Sequence, residues 1–401
     1  MKVIIVTNEP FPDGMSSSQR IKCYARALIS AGGGCEVLVY QRTEKRGSAR
    51  NTRGKGSFKG IPFRYINGSP FIARNRVVSR IENWLDIWGT AFYLRKNLSK
   101  GDILFLYLGR YPDHMLLFME AARKAGAYCV RDLCELPYGT GAETPEYVAL
   151  RKRVLDEQFP LLDGVVSISD TLMELAKERC SPSCKHIKVP ILVDFEEYNL
   201  PDRSREQEIP YIFHSGTLYE QKDGILGMIE AFGMAVDRIG FPVRFVLTGS
   251  PEWSPHTDGI LDLIDRYKLQ DKVVFKGYLS DDELKDCLSG ASLTIINKYP
   301  TQQNRYCFST KLGEYLSAGK PVIITRVGEA VNWLKDGESA CIIEPEDTSA
   351  LADAIVRAFT NPEIRETLSV KARETARDCF DFRAWGRPLK DFLDSLGQQL
   401  L

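Results

Sequence analysis

The chain reads as an α/β protein of two Rossmann-like, doubly wound parallel-sheet domains facing a cleft. Three observations predict this. Its 401 residues exceed what one hydrophobic core serves. Apolar runs of strand length alternate with longer helix-period stretches, the pattern of a parallel sheet covered by helices on both faces. The alternation breaks at the polar, proline-containing NLPDRSREQEIP of 199–210 and then restarts.

In the first half, strands are expected near 2–7, 36–40, 61–66, 102–107, 127–131, 164–168 and 186–189, with amphipathic segments over 16–31, 77–98, 112–125 and 144–159. These form a first domain over residues 1–200. After the linker come YIFHSG, a helix to about 238, VRFVLTG, a helix from 257, KVVFKG, a helix from 281, ASLTIIN, a helix from 309, PVIIT, a short helix and SACIIEP. They predict a second doubly wound domain over 201–381. Helices at 347–360, 362–378 and 382–398 follow, and the last, within 382–401, is expected to pack back on the first domain. Ligands of open α/β sheets bind beyond the C-terminal strand ends, so the loops there hold the candidate residues.

Composition narrows the class. With 44% hydrophobic and 26% charged residues and no long biased tract, the chain has the make-up of a soluble globular protein. MKVIIVT has too few apolar residues for a signal-peptide core or a membrane span and reads as a first strand. Ten cysteines without the regular spacing of a disulfide scaffold fit a reducing compartment, which places the chain in the cytoplasm.

The net charge is zero, yet the first hundred residues carry 18 basic and 6 acidic side chains. That field favours an anionic acceptor or a peripheral contact with the inner membrane face, or else marks a solvated loop. The basic RTEKRGSARNTRGKGSFKG at 42–60 has no apolar periodicity and is expected to be mobile without ligand. No recognition fold accompanies it, so nucleic acid is not an expected partner. The following IARNRVVSRIENWLDIWGTAFYLRKNL mixes arginine with Trp84, Trp88, Phe92 and Tyr93, as a membrane-surface helix or as a helix covering the domain.

Two segments carry candidate chemistry. SGTLYEQKDG at 215–224 directly follows the strand YIFH. Gly216 permits a close turn there, and Lys222 falls just before or inside the next helix, where a lysine beside backbone amides can anchor phosphate; the same order also describes an ordinary α/β turn. In QNRYCFSTKLGEYLSAGKPVIIT at 303–325, Phe308 leads into the N-cap types Ser309 and Thr310, Lys311 to Ser317 is helix-forming, and Gly319 suits the helix end. Free amides at 309–311 can hold phosphate oxygens. Glu314, one turn in, either accepts two hydrogen bonds from a ribose diol or complements the helix dipole. Asp132 and Glu135, after a first-domain strand, either orient an acceptor or sugar or cap their loop.

SGTLYEQKDG, VRFVLTGSP, KVVFKGYLSDDELKDCLSGASLTII, FSTKLGEYLSAGKPVI and VGEAVNWLKDGESACIIEPED, in this order, resemble the donor-binding half of the retaining GT-B glycosyltransferases of family four, across residues 209–377. PFPDGMSSSQRIKCYARALISAGGGCEVLVY, VVSISDTLMELAKE and VPILVDFEEY resemble the other half more loosely. The resemblance implies a GT-B fold and transfer of a sugar, with retention, from a nucleoside-diphosphate sugar to a glycan, lipid-linked or small-molecule acceptor, as in cell-surface polysaccharide assembly. It implies that Lys222 neutralises the pyrophosphate and Glu314 binds the ribose; with Glu135 these are the catalytic candidates. Gly277, Tyr278 and Leu279 would edge the base, and the amides near Ser309 and Thr310 would meet the distal phosphate and sugar, beside Gly216 and Phe308. Gly14 and Met15 would lie under the phosphates and the acceptor.

Two positions depart from the family pattern. Thr217 stands where an arginine is usual, and Tyr306 where a glutamate is usual eight residues before Glu314. Lys311, on the first turn, is expected to supply the missing charge. No Asp-x-Asp triplet occurs, and Lys222 with a helix dipole can do a cation's work, so neither a metal nor another cofactor is expected. The competing readings are a non-catalytic nucleotide-sugar-binding or partner subunit and a nucleotide-sugar epimerase.

Overall fold

The computed structural model describes residues 1–107, 111–139 and 143–400, the last two by their backbone only. Of the loop 131–143 singled out above, residues 140–142 lie outside the described residues, as does Leu401. The chain forms two compact units, Met1–Leu192 with Phe382–Leu401, and Val193–Asp381.

The first unit runs β1 (Lys2–Thr7), α1 (Ser16–Ser30), β2 (Gly34–Val39), β3 (Lys55–Phe58), β4 (Ile61–Tyr65), α2 (Arg76–Asn97), β5 (Ile103–Tyr107), α3 (Pro112–Lys124), β6 (Tyr128–Leu133), α4 (Pro145–Arg153), β7 (Gly164–Ser167), α5 (Asp170–Arg179) and β8 (Lys185–Lys188). Its eight-stranded sheet has the order β3-β4-β2-β1-β5-β6-β7-β8. Every pairing is parallel except β3 with β4. Central strands such as ILFLY are buried along their whole length, as expected of a sheet covered on both faces.

The basic stretch 42–60 departs from the expectation of a mobile loop. It contains β3, which turns into β4 through Lys59 and Gly60, both at positive φ, the backbone of a tight hairpin. Farther back, buried Asn51 donates to Glu44 Oε1 at 2.6 Å and to the Asp13 carbonyl at 2.7 Å, and accepts from the Asp13 amide at 2.9 Å. These bonds tie the stretch to the loop after β1.

The second unit runs α6 (Phe195–Tyr198), β9 (Tyr211–His214), α7 (Glu220–Asp223), α8 (Ile225–Ile239), β10 (Arg244–Leu247), α9 (Thr257–Arg266), β11 (Val273–Phe275), α10 (Asp281–Gly290), β12 (Leu293–Ile296), α11 (Gln302–Tyr306), α12 (Thr310–Ser317), β13 (Val322–Thr325), β14 (Cys341–Ile343), α13 (Thr348–Thr360) and α14 (Pro362–Thr375). Its six strands, in the order β11-β10-β9-β12-β13-β14, are all parallel. The sheet order reverses between β1 and β5 in the first unit and between β9 and β12 in the second. The loops leaving β1 and β9 therefore sit at the switch points where open α/β sheets take ligands.

The last helix, α15 (Phe382–Ser395), belongs to the first unit. It packs against α1, with the Arg26 guanidinium 4.3 Å above the Phe382 ring. At Gly386 an added Cβ would lie 2.6 Å from the Ala27 carbonyl oxygen, so a glycine lets the two backbones approach. No helix among the described residues is long and apolar enough to cross a membrane.

Candidate functional site

In the second unit, the loop after β9 is held by side chains from neighbouring strands and helices. The Ser215 amide donates to the Tyr315 hydroxyl of α12 at 2.8 Å, and the Gly216 amide to Thr248 Oγ1 at 2.8 Å. Thr248 Oγ1 in turn donates to the Gly216 carbonyl at 3.1 Å. Thr217 is exposed, while Leu218 is buried with φ near 55° and its carbonyl accepts from Ser254 Oγ at 2.6 Å. Lys222 is exposed on α7, a single turn closed by left-handed Gly224 and separate from α8.

Beneath this loop lie charges that the linear motif does not announce. Lys311 of α12 makes a 2.7 Å ion pair with buried Asp223. Burial alone would raise the Asp223 carboxyl, but Lys311, His214 and Lys298 hold it well below the usual range. Lys298, at the end of β12, is buried and donates to the Lys222 carbonyl at 3.0 Å and to Asn304 Oδ1 at 3.3 Å. Asn304 of α11 donates to the Gln221 carbonyl at 3.0 Å, and Asn297 to the Gly224 carbonyl at 2.9 Å. Three side chains thus clamp the turn that carries Lys222. Burial, then Lys311, lowers Lys298 to about 8.

His214 is buried with Nδ1 2.8 Å from the Ile295 carbonyl, so Nδ1 carries the proton and Nε2 is left as an acceptor. Burial, then Lys311, lowers it to about 4, and the ring is neutral at pH 7. Among the described residues, neither His214 Nε2 nor Asp223 Oδ2 has a hydrogen-bond partner. A Cβ at Gly216 would sit 2.6 Å from the first and 3.0 Å from the second, so these acceptors converge where only glycine leaves room.

Glu314 lies one turn into α12, half-buried beside α6, where the Tyr198 hydroxyl hydrogen-bonds to it. Burial raises its carboxyl to about 7 against the pull of Lys311 and of Tyr198. Among the described residues, the Ser309 side chain makes no capping bond to the first-turn amides of α12. Tyr306 is half-buried at the end of α11. Phe308 is buried against the Phe380 ring, 5.7 Å between centroids, and turns only its backbone toward the helix start.

Gly277 follows β11 at positive φ and pairs with Gly249 through bonds of 2.7 and 3.1 Å. A Cβ at Gly249 would lie 3.4 Å from the Gly216 carbonyl, so the loops after β9, β10 and β11 adjoin. Tyr278 is exposed and Leu279 half-buried beyond Gly277.

The first-unit candidates form a set of their own. Gly14 is tightly enclosed: a Cβ there would lie 2.0 Å from Ser18 Oγ, which donates to the Pro10 carbonyl at 2.6 Å. Met15 precedes α1 and is exposed. Asp132 is fully buried, paired with Arg20 at 3.2 Å and accepting from the Tyr24 hydroxyl at 2.5 Å. Arg20 also donates to the carbonyls of Pro190 and Val189, so Asp132 anchors α1 to the sheet. Glu135 is half-buried just past β6.

Residues 209–361 match the family described as glycosyl transferases group 1. Among curated proteins, the chain is similar to the alpha-D-kanosaminyltransferase of Streptomyces kanamyceticus, 25% identical over 50% of this chain and 48% of that protein. It is also similar to the N-acetyl-alpha-D-glucosaminyl L-malate synthase of Bacillus anthracis, 22% identical over 54% of this chain and 56% of that protein. The matched part thus spans about half the length of these curated relatives. Among solved structures, sucrose-phosphate synthase from Thermosynechococcus elongatus superposes with a TM-score of 0.73, 17% identity and 98% of each chain covered. HepE from Anabaena, in complex with UDP and glucose, superposes at 0.70 with 15% identity, over 98% of this chain and 100% of that one. The two parallel sheets and these superpositions make the fold GT-B, and within it residues 209–361 carry the similarity to the glycosyl transferases group 1 family.

Proposed function

We propose that the chain is a retaining, metal-independent glycosyltransferase. In this reading it moves a sugar from a nucleoside-diphosphate sugar to a glycan or lipid-linked acceptor, in the cytoplasm and in the service of cell-surface polysaccharide. The observation that carries the reading is the charge balance around α7: Lys298 and Lys311 both act on the buried carboxylate of Asp223, with Lys222 close enough to Lys298 to oppose its charge, beside the start of α12, where the Ser309 side chain makes no capping bond. Positive charge left over at a helix N-terminus suits a pyrophosphate. HepE was solved with UDP and with UDP-glucose, and the same kind of ligand is proposed here.

In the reaction, the bond from the anomeric carbon to the leaving phosphate breaks and a bond to the acceptor oxygen forms. The acceptor's proton passes to a phosphate oxygen, so no protein nucleophile or base is required. Lys222 and the first-turn amides of α12 stabilise the charge that builds on the pyrophosphate. Ionised Glu314 takes the ribose hydroxyls, the loop 277–279 edges the base, and Glu135 orients the acceptor. Lys311 acts through Asp223, to which it is paired, and Asp132 through Arg20.

A thermal-shift panel of nucleotide sugars identifies the bound nucleotide, because a ligand of the folded state raises the midpoint by mass action. The stabilising nucleotide sugar is then followed for release of nucleoside diphosphate. Slow release without acceptor, undiminished by EDTA and lost in Lys222→Ala, is the expected result. Tight binding with no turnover would favour a non-catalytic subunit, a role that Thr217 and Tyr306 would suit. Interconversion of sugars without release would favour an epimerase.

A further inference from the structure

Helix α2 turns an apolar stripe outward. Val77, Ile81, Trp84, Leu85, Trp88 and Phe92 fall on one face at helical spacing. Trp84 is 59% exposed, Trp88 52% and Phe92 70%, and the two indole rings lie 6.2 Å apart. The opposite face, with Asp86, Thr90, Ala91 and Leu94, is the one buried in the first unit. Isolated exposed hydrophobic residues are ordinary, but a contiguous row of this size marks a surface that meets something.

Charge selects the occupant. Arg74, Arg76 and Arg80 are exposed at one end of the stripe, and Arg95 and Lys96 at the other. The helix's two acidic residues are held elsewhere: Arg42 reaches Glu82 at 2.6 Å and Asp86 at 3.4 Å, and Asn67 also donates to Asp86. The outward face is therefore apolar and positive only. A second copy laid on this face would set arginine against arginine. An anionic lipid surface matches both features, since tryptophan and phenylalanine settle at headgroup level while arginines meet lipid phosphates.

We propose that the outer face of α2 docks the first unit onto an anionic lipid surface through Trp84, Trp88 and Phe92, with the flanking arginines on headgroup phosphates. This docking is independent of sugar transfer, and its test needs no turnover. The full chain is floated with vesicles containing phosphatidylglycerol and with vesicles of phosphatidylcholine alone. The expected result is binding to the anionic vesicles that weakens with salt. A Trp84→Ser, Trp88→Ser, Phe92→Ser variant should bind at least about tenfold more weakly with an unchanged melting midpoint, because the replaced side chains are exposed. Replacing Arg76 and Arg80 by glutamine should lower the anionic preference by about fivefold per residue.

Equal binding to both vesicles, or a triple variant that binds as well as the parent, would overturn the proposal. So would a chain that ignores vesicles but sediments as a dimer, dissociated by the triple substitution; that result assigns the face to a second copy.

Discussion

A carboxyl that titrates at about 7 is half-neutral at physiological pH, and burial puts Glu314 in that state before any ligand arrives. Ribose hydroxyls donate more strongly to the ionised form, so affinity for the proposed nucleoside diphosphate should fall by up to about tenfold per pH unit as pH drops below 7. Calorimetry between about pH 6 and pH 8 reads this slope, and Glu314→Gln should bind more weakly at the upper end and lose the slope. Lys298 works in the opposite direction. It faces Lys311, Asp223, Cys307 and Lys222, and it loses its proton as pH rises through about 8. Binding of the proposed nucleoside diphosphate should weaken above that point in the parent but not in Lys298→Met, which should already bind about tenfold more weakly at pH 7. Lys311→Ala leaves Asp223 buried without its partner, so a loss of about 3–5 kcal/mol in the second unit's stability, measured by denaturant, should accompany any loss of affinity. The positions of Lys222 and Glu314, after a strand end and one turn into a helix, were legible in the sequence because strand, glycine and helix signals flank each, whereas their roles rest on the family resemblance. Lys298 was not: a lysine after an apolar strand end reads as solvated until Asn304 and the Lys222 carbonyl close around its Nζ. Tyr198 was hidden for a related reason, since the helix that brings it to Glu314 comes from a distant segment.

Among elements, strands and long helices were readable from periodicity, and the differences arise where periodicity is missing. β3 is short, basic and glycine-containing, and only its pairing with β4 makes it a strand. α7 and α8 were expected as one helix, but left-handed Gly224 separates them and turns the Lys222 carbonyl toward Lys298. The crossing of α1 and α15 gives the clearest element-level prediction. Gly386→Val would force a side chain against the Ala27 carbonyl and the Ser30 hydroxyl. It should destabilise the first unit by about 1–3 kcal/mol, read from urea melts of that unit's tryptophans.

At the scale of the whole molecule, the two units have separate cores, one joining α8 and α13 to the second sheet and the other joining α1 and α15 to the first. Calorimetry should resolve two unfolding transitions, and the proposed nucleoside diphosphate should move only that of the second unit, since a ligand stabilises the cooperative block that binds it. The first unit is assembled from two stretches of chain, Met1–Leu192 and Phe382–Leu401, with the second unit inserted between them. During translation, the face of α1 that receives α15 must therefore wait, uncovered, while all of Val193–Asp381 is made. At about 5–20 residues per second that wait lasts on the order of ten seconds or more. The inserted unit can finish folding on the ribosome first, whereas the flanking one is open to chaperones and to misassembly until segment 382–395 emerges.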